Sequence, residues 1–196
     1  IAARVQNPSD ILSTVNRQIC RDNDSQMFTT LFCCILNTRT GEIKYSSGGH
    51  NPPYHISRGG VQQVPQTGGR VLGLVEDSSY GGGRLVLGSG ETIFLYTDGV
   101  TEALDPAGQF FSERRLESIL TQTEFASARE QTEHLTSQIA LFAAGAEQSD
   151  DITALAIRYL GPAGSNNGEL QFTLKNRVAE IGRLGERLGE FAAGHQ

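Results

Sequence analysis

Two acidic turns, each joined to an apolar run, carry the chemistry in this sequence. Ile93-Phe94-Leu95-Tyr96-Thr97 runs into Asp98-Gly99, and Asp150-Asp151 leads into Ile152-Thr153-Ala154-Leu155-Ala156-Ile157. A strand that ends in Asp-Gly and a strand that begins just after Asp-Asp can hold carboxylates at one edge of a sheet. Hard divalent cations such as Mg²⁺ or Mn²⁺ take such rigidly placed oxygen ligands and keep waters in the remaining octahedral positions. The chemistry implied is metal-dependent hydrolysis. Each turn alone is a weak signal, since Asp-Gly is a common turn pair and Asp-Asp can simply join a helix to a strand. Adjacent carboxylates repel, however, and a cation relieves that cost.

Other reactive groups read as structural. There is no G-x-S-x-G sequence and no cysteine beside a base in a reactive motif, so a metal-activated water is favoured over a covalent nucleophile. His50, between glycines and Asn51-Pro52-Pro53, can act as an acid or ligand but reads more simply as a loop residue bonding backbone groups. His55, His134 and His195 fall in strand or helix patterns. Gly81-Gly82-Gly83 lacks the Lys-Ser/Thr and helix start of a phosphate loop and reads as a flexible turn. Cys20, Cys33 and Cys34 have no metal-ligand spacing and are expected to be reduced core thiols, which fits a cytoplasmic protein.

The elements that must position the acidic turns follow from periodicity. Asn7-Pro8-Ser9-Asp10 opens a helix, with Ile11, Leu12, Val15 and Ile19 on one face, ending near Arg21. Phe28 to Leu36 reads as a buried strand, returning through the turn Asn37–Gly41 into Ile43–Ser46. Tyr54–Ile56 turns at Arg58-Gly59-Gly60 into Val61–Val64. Leu85–Leu87 turns at Gly88–Glu91 into Ile93–Thr97, so the strands are expected to form an antiparallel meander. Ser112 and Ser127 are placed to cap two helices, and Ile152–Tyr159 is the last strand of this unit. Strands and helices are segregated along the chain, which predicts an α+β fold.

Composition bounds the function. The net charge is −6 with scattered basic residues, which argues against nucleic acid as a partner. No apolar stretch is long enough to cross a bilayer. The chain opens Ile1-Ala2-Ala3-Arg4 without Met, and is expected to start within a longer protein. Gly161–Gly168 is a linker by composition. Leu170–Leu174 then has a strand pattern, followed by helical spacing of Val178, Ile181, Leu184, Leu188 and Phe191.

Several ordered segments resemble the bacterial PPM-type serine phosphatases of the stage II sporulation protein E and sigma-regulator group, related to PP2C. They are Phe28–Phe32, Tyr45-Ser46-Ser47-Gly48-Gly49-His50-Asn51-Pro52-Pro53, Leu72-Gly73-Leu74, Gly90-Glu91, Leu95-Tyr96-Thr97-Asp98-Gly99-Val100-Thr101-Glu102-Ala103, Phe110-Phe111 and Gln148-Ser149-Asp150-Asp151-Ile152-Thr153. The resemblance covers residues 1–160. It implies an αββα sandwich with two Mn²⁺ or Mg²⁺ ions at one end of paired sheets, whose bridging water attacks a phosphoserine or phosphothreonine in line. By the same resemblance Asp98 and Asp150 are metal ligands, Gly99 and Asp151 lie beside the metal, and Gly49, His50 and Asn51 form a signature loop.

The family's first metal motifs, an early aspartate pair and a Gly-Asp-Val-Ser-Gly-Lys-Gly-like turn, have no counterpart in residues 1–196. This chain by itself is therefore expected to have little phosphatase activity. The implied substrate is a phosphorylated anti-sigma-factor antagonist of the STAS type, and a homodimer is compatible with the sequence. Residues 169–196 are similar to the opening of histidine-kinase-like ATPase domains of anti-sigma factors; a coiled-coil or docking helix is the alternative reading. The rival to the enzyme reading is a non-catalytic regulatory module, as a fragment or a pseudophosphatase.

Overall fold

The computed structural model describes residues 7–21, 23–122, 124–148 and 150–162, and the backbone of 172–175. The chain forms two compact units, one of Ile1–Ile93 with Arg158–Leu170 and the other of Phe94–Ile157 with Gln171–Gln196.

In the first unit, helix α1 (Pro8–Arg21) begins as its sequence predicts. The Asn7 carbonyl accepts from the amides of Asp10 and Ile11, and Pro8 occupies a position where no amide hydrogen is needed. Strands β1 (Leu31–Leu36) and β2 (Glu42–Gly48) form a hairpin with Leu31 opposite Gly48 and Leu36 opposite Ile43. Asn37 closes the turn between them, its side-chain oxygen accepting from the amides of Arg39 and Thr40, an Asx turn. A second hairpin joins β3 (Tyr54–Ser57) to β4 (Gly60–Gln63).

Strand β5 (Gly83–Val86) departs from the expected meander. It pairs antiparallel with β2, Glu42 opposite Val86 and Tyr45 opposite Gly83, giving a sheet in the order β1-β2-β5. A turn at Gly88–Glu91 does form, but it does not make a hairpin. Its Gly88 amide is held by the Glu91 carboxylate, which accepts it at 2.9 Å and lies 2.8 Å from His55 Nε2. Burial raises the Glu91 pKa, yet the hydrogen bonds from Gly88 and His55 outweigh it and hold the carboxyl below its ordinary value.

Three further expectations are corrected. Strand β1 is not buried: Leu31 and Ile35 are exposed and the residues between them half-exposed, because β1 lies at the edge of its sheet. Cys20, Cys33 and Cys34 are free but only partly buried; burial and then the neighbouring Cys33 push the Cys34 thiol up to about 11. The Gly81–Gly83 run is a close crossing rather than a loose turn. A Cβ at Gly81 would collide with the Thr67 carbonyl, and one at Gly83 with the Tyr45 ring.

α1 packs over β1 and β2, its Leu12 joining Leu72 and Tyr80 in a buried cluster with Val15, Ile19 and Cys33 against it. One polar residue ties this helix down. Asn16 is fully buried; its Nδ2 donates to the carbonyls of Val75 (2.8 Å) and Glu76 (3.0 Å), and its Oδ1 accepts from Gly73 N (2.9 Å). Truncation would strand an amide and two carbonyls, and unpaired buried groups are costly. Asn16→Ala is therefore expected to lower unfolding free energy by about 3 kcal/mol, read as a shifted urea midpoint at unchanged slope. A loss below about 0.5 kcal/mol would show that water replaces the side chain at little cost.

The second unit carries β6 (Thr92–Tyr96) from Phe94 onward, the short helix α2 (Asp98–Thr101), α3 (Ser112–Gln122), α4 (Ala128–Ala143) and β7 (Ala154–Arg158) as far as Ile157. Strand β8 (Phe172–Lys175) pairs antiparallel with β7, Ala154 opposite Lys175. Phe94, Tyr96, Val100, Phe111, Leu116, Leu135 and Ala156 are buried. Ser127 caps α4 as its sequence predicts, its Oγ accepting from Glu130 N, while Glu130 Oε2 accepts from Ala126 N. The expected linker, but for Gly161 and Pro162, and the helix after β8 lie outside the described residues. No helix of the described residues is long and apolar enough to cross a membrane.

Candidate metal-binding edge of the second unit

The antiparallel pairing of β6 and β7 brings the two acidic turns together. Thr97 N donates to Thr153 O at 3.1 Å, so the end of β6 lies beside the start of β7. Asp98 follows Thr97 as the first residue of α2, and Asp150-Asp151 precede β7 by two residues. The sequence predicts a turn at Asp98-Gly99; the structure makes it the start of a one-turn helix, where the Asp98 carbonyl accepts from Glu102 N.

Side-chain and backbone bonds then fix the two turns against each other. Thr97 Oγ1 donates to the Asp151 carbonyl at 2.9 Å and accepts from Thr153 N at 3.0 Å. Gly99 N donates to Asp98 Oδ1 (3.0 Å), and Asp151 N to Asp150 Oδ1 (2.6 Å). Gln148 Nε2 donates to the Asp150 carbonyl at 2.6 Å. Gly99 is buried with no room for a side chain: a Cβ there would run into the Asp151 carbonyl oxygen and lie 3.3 Å from that of Asp150. The glycine is required by this close approach and not by its backbone angles, since its φ is not in the left-handed region.

Asp98, Asp150 and Asp151 are all exposed. Their carboxylates are hard acceptor-only oxygens, with lone pairs beyond the backbone amide that Asp98 and Asp150 each accept. This donor chemistry fits Mn²⁺ or Mg²⁺, which bind through one or two carboxylates while keeping several waters. No group of three or more His, Cys, Asp or Glu side chains that could hold a metal occurs among the described residues, so the two turns would supply part of a ligand set.

The signature loop belongs to the first unit. Gly49 has φ 74° and faces Val71. His50 Nδ1 lies 3.2 Å from Thr30 Oγ1, and the His50 carbonyl accepts from Ser47 Oγ. Asn51 is half-buried and leads into Pro52-Pro53. Two contributors escape a reading by sequence: Thr97, whose hydroxyl bridges the turns, and Gln148. A Thr at a strand end is a signal in principle, because its hydroxyl readily bonds nearby backbone; its partner lies 54 residues away, which no local pattern reveals.

Comparison with known proteins agrees with this architecture. The family model of stage II sporulation protein E (SpoIIE) matches residues 1–160. Protein IcfG of Synechocystis is 31% identical over 134 residues, covering 68% of this chain and 21% of that protein. The phosphoserine phosphatase RsbU of Bacillus subtilis is 28% identical over 153 residues, covering 78% of this chain and 45% of RsbU. The chain thus spans less than half the length of either relative. Among solved structures, the SiaA PP2C domain of Pseudomonas aeruginosa superimposes with a TM-score of 0.67 at 25% identity, covering 79% of this chain and 61% of that domain.

Proposed function

This chain belongs to the stage II sporulation protein E family of PP2C-like phosphatases, and from that membership we propose that it is the part of a protein serine/threonine phosphatase carrying the Asp98 and Asp150 metal ligands. The observation that carries the reading is the fastening of the Asp98-Gly99 turn to the Asp150-Asp151 turn through Thr97 and the close approach at Gly99. A fold that only needed two solvated loops would have no use for a buried glycine between them.

Asp98 and Asp150 would hold Mn²⁺ or Mg²⁺, with Asp151 beside them. Such ions, once bound, supply an activated water and neutralise phosphoryl charge in hydrolysis of a phosphoserine or phosphothreonine. The residues of this chain perform the positioning. Asp98 directs one oxygen to the Gly99 amide, Asp150 does the same with the Asp151 amide, and Gly99 lets the two turns approach. The exposure of all three carboxylates suits a phosphorylated segment on another protein. We assign that protein to the STAS-type anti-sigma-factor antagonists and the reaction to the cytoplasm. Residues 169–196 are read as the opening of an ATPase-like domain. His50 is given no role in proton transfer.

Hydrolysis of p-nitrophenyl phosphate, with and without Mn²⁺, tests the reading in two chains: residues 1–196, and the same chain extended to its full gene product. Mn²⁺-dependent turnover in the extended chain with little in residues 1–196 is expected. No turnover in either chain, both being folded, would replace the enzyme by the regulatory module.

A further inference from the structure

We propose that Thr97 is a positioning residue for the metal site, the clasp that makes two acidic turns act as one. This rests on the phosphatase reading and deepens it. Thr97 precedes Asp98 directly, so its backbone fixes where α2 starts. Its hydroxyl spends both of its roles on the other turn: the proton goes to the Asp151 carbonyl at 2.9 Å and a lone pair receives Thr153 N at 3.0 Å. The Thr97 amide adds a third bond, to Thr153 O at 3.1 Å. That backbone bond aligns the strands, and Gln148 holds the Asp150 carbonyl. The hydroxyl adds the hold on the next peptide, whose Asp151 carbonyl is the one that meets Gly99.

The arrangement has the logic of residues that orient a metal ligand without touching the metal, whose loss typically weakens binding by about 10–100-fold. Here the orienting group acts through the main chain. Asp98 and Asp150 are on different elements, so their spacing is set by whatever joins the elements, and Thr97 joins them within one residue of the first carboxylate. A hydroxyl is required at that place: it both donates and accepts, whereas an amide side chain would be too long for the 2.9–3.0 Å bridge and an apolar one would leave the Asp151 carbonyl and the Thr153 amide without it.

The test is titration of Mn²⁺ into the full-length protein, with free ion read by electron paramagnetic resonance. Wild type, Asp98→Asn, Thr97→Val and Thr97→Ser are compared, with the thermal midpoint of each metal-free protein measured alongside. Thr97→Val keeps the shape and the extended backbone (φ −91°, ψ 161°) but loses the hydroxyl. It is expected to weaken Mn²⁺ binding by about 10–100-fold, with Thr97→Ser restoring binding to within about threefold of wild type.

Thr97→Val that binds Mn²⁺ as wild type does, while Asp98→Asn binds it poorly, would overturn the clasp and leave the phosphatase reading standing. A wild type that binds no Mn²⁺, or an Asp98→Asn that binds as tightly as wild type, would instead sink the phosphatase reading. Should Thr97→Val fail to fold, Thr97→Ala is titrated in its place. Failure of both, or weakened binding not rescued by Ser, would reduce Thr97 to a structural residue.

Discussion

Asp98→Asn in the full-length protein should abolish Mn²⁺-dependent phosphatase activity, with a fall of at least about 100-fold, while the fold survives. The scale follows from two comparisons. Loss of a group that merely orients a ligand costs about 10–100-fold, and Asp98 is proposed to be a ligand itself. Removing its charge would also weaken the Coulomb attraction that holds a divalent ion in the site, and an ion that is not held supplies no activated water. Survival of the fold follows from the structure. Asp98 is exposed, and the bond its carboxylate accepts from Gly99 N at 3.0 Å can be accepted equally by the amide oxygen of Asn. Asp150→Asn should behave alike, since Asp150 is exposed and the amide oxygen of Asn can accept the neighbouring Asp151 amide in its place. Near-wild-type turnover at limiting Mn²⁺, with unchanged thermal midpoint, would remove Asp98 from the ligand set.

Substitution of Gly99 should damage both stability and activity. A methyl group at this position would overlap the Asp151 carbonyl oxygen and crowd the Asp151 carbonyl carbon at 2.9 Å. Both are backbone atoms, so no side-chain rotation relieves the clash. Overpacking of this kind costs about 1–3 kcal/mol, and the relief open to the molecule is to push the Asp150-Asp151 turn away from Asp98. Displacing a reacting constellation by about 1 Å can cost about 100-fold in rate. Gly99→Ala should therefore lower the urea midpoint and reduce turnover together, and Gly99→Val should do so more severely. Gly59→Ala serves as the control, because a Cβ there meets only Ser57 Oγ at an ordinary 3.5 Å. An active, fully stable Gly99→Ala protein would mean that the turns have slack the structure does not show.

Local chemistry was the readable part of this sequence. Pro8 after Asn7 and Ser127 three residues before Glu130 mark the starts of α1 and α4, because the groups that satisfy a helix terminus are its own neighbours. Asn37 and Gly41 mark the β1–β2 turn for the same reason. The acidic turns were legible because a strand pattern adjoins each of them. What failed was pairing at a distance. Nothing in Leu85-Val86-Leu87 says that its partner is β2, with Leu85 opposite Ile43 and Val86 opposite Glu42, and a nearby Gly-Ser-Gly turn points to the wrong neighbour. The exposure of β1 was missed because an apolar run reads alike whether it lies in the middle of a sheet or at its edge. The clasp at Thr97 was invisible for the first of these reasons, and the crowding around Gly99 because a glycine's neighbours in space leave no mark on its neighbours in sequence.

The 54-residue separation between Thr97 and Asp151 also dictates when the site can come into being. The β1–β2 and β3–β4 hairpins close over short loops, and such local pairings are kinetically cheap. The acidic edge instead requires β6 to find β7 across all of α2, α3 and α4, a closure whose entropy must be met before any contact rewards it. The site is thus expected to form after the hairpins. A partly folded chain can have those hairpins and still lack the joined acidic turns, so capture of Mn²⁺ would report the β6–β7 closure rather than the onset of folding.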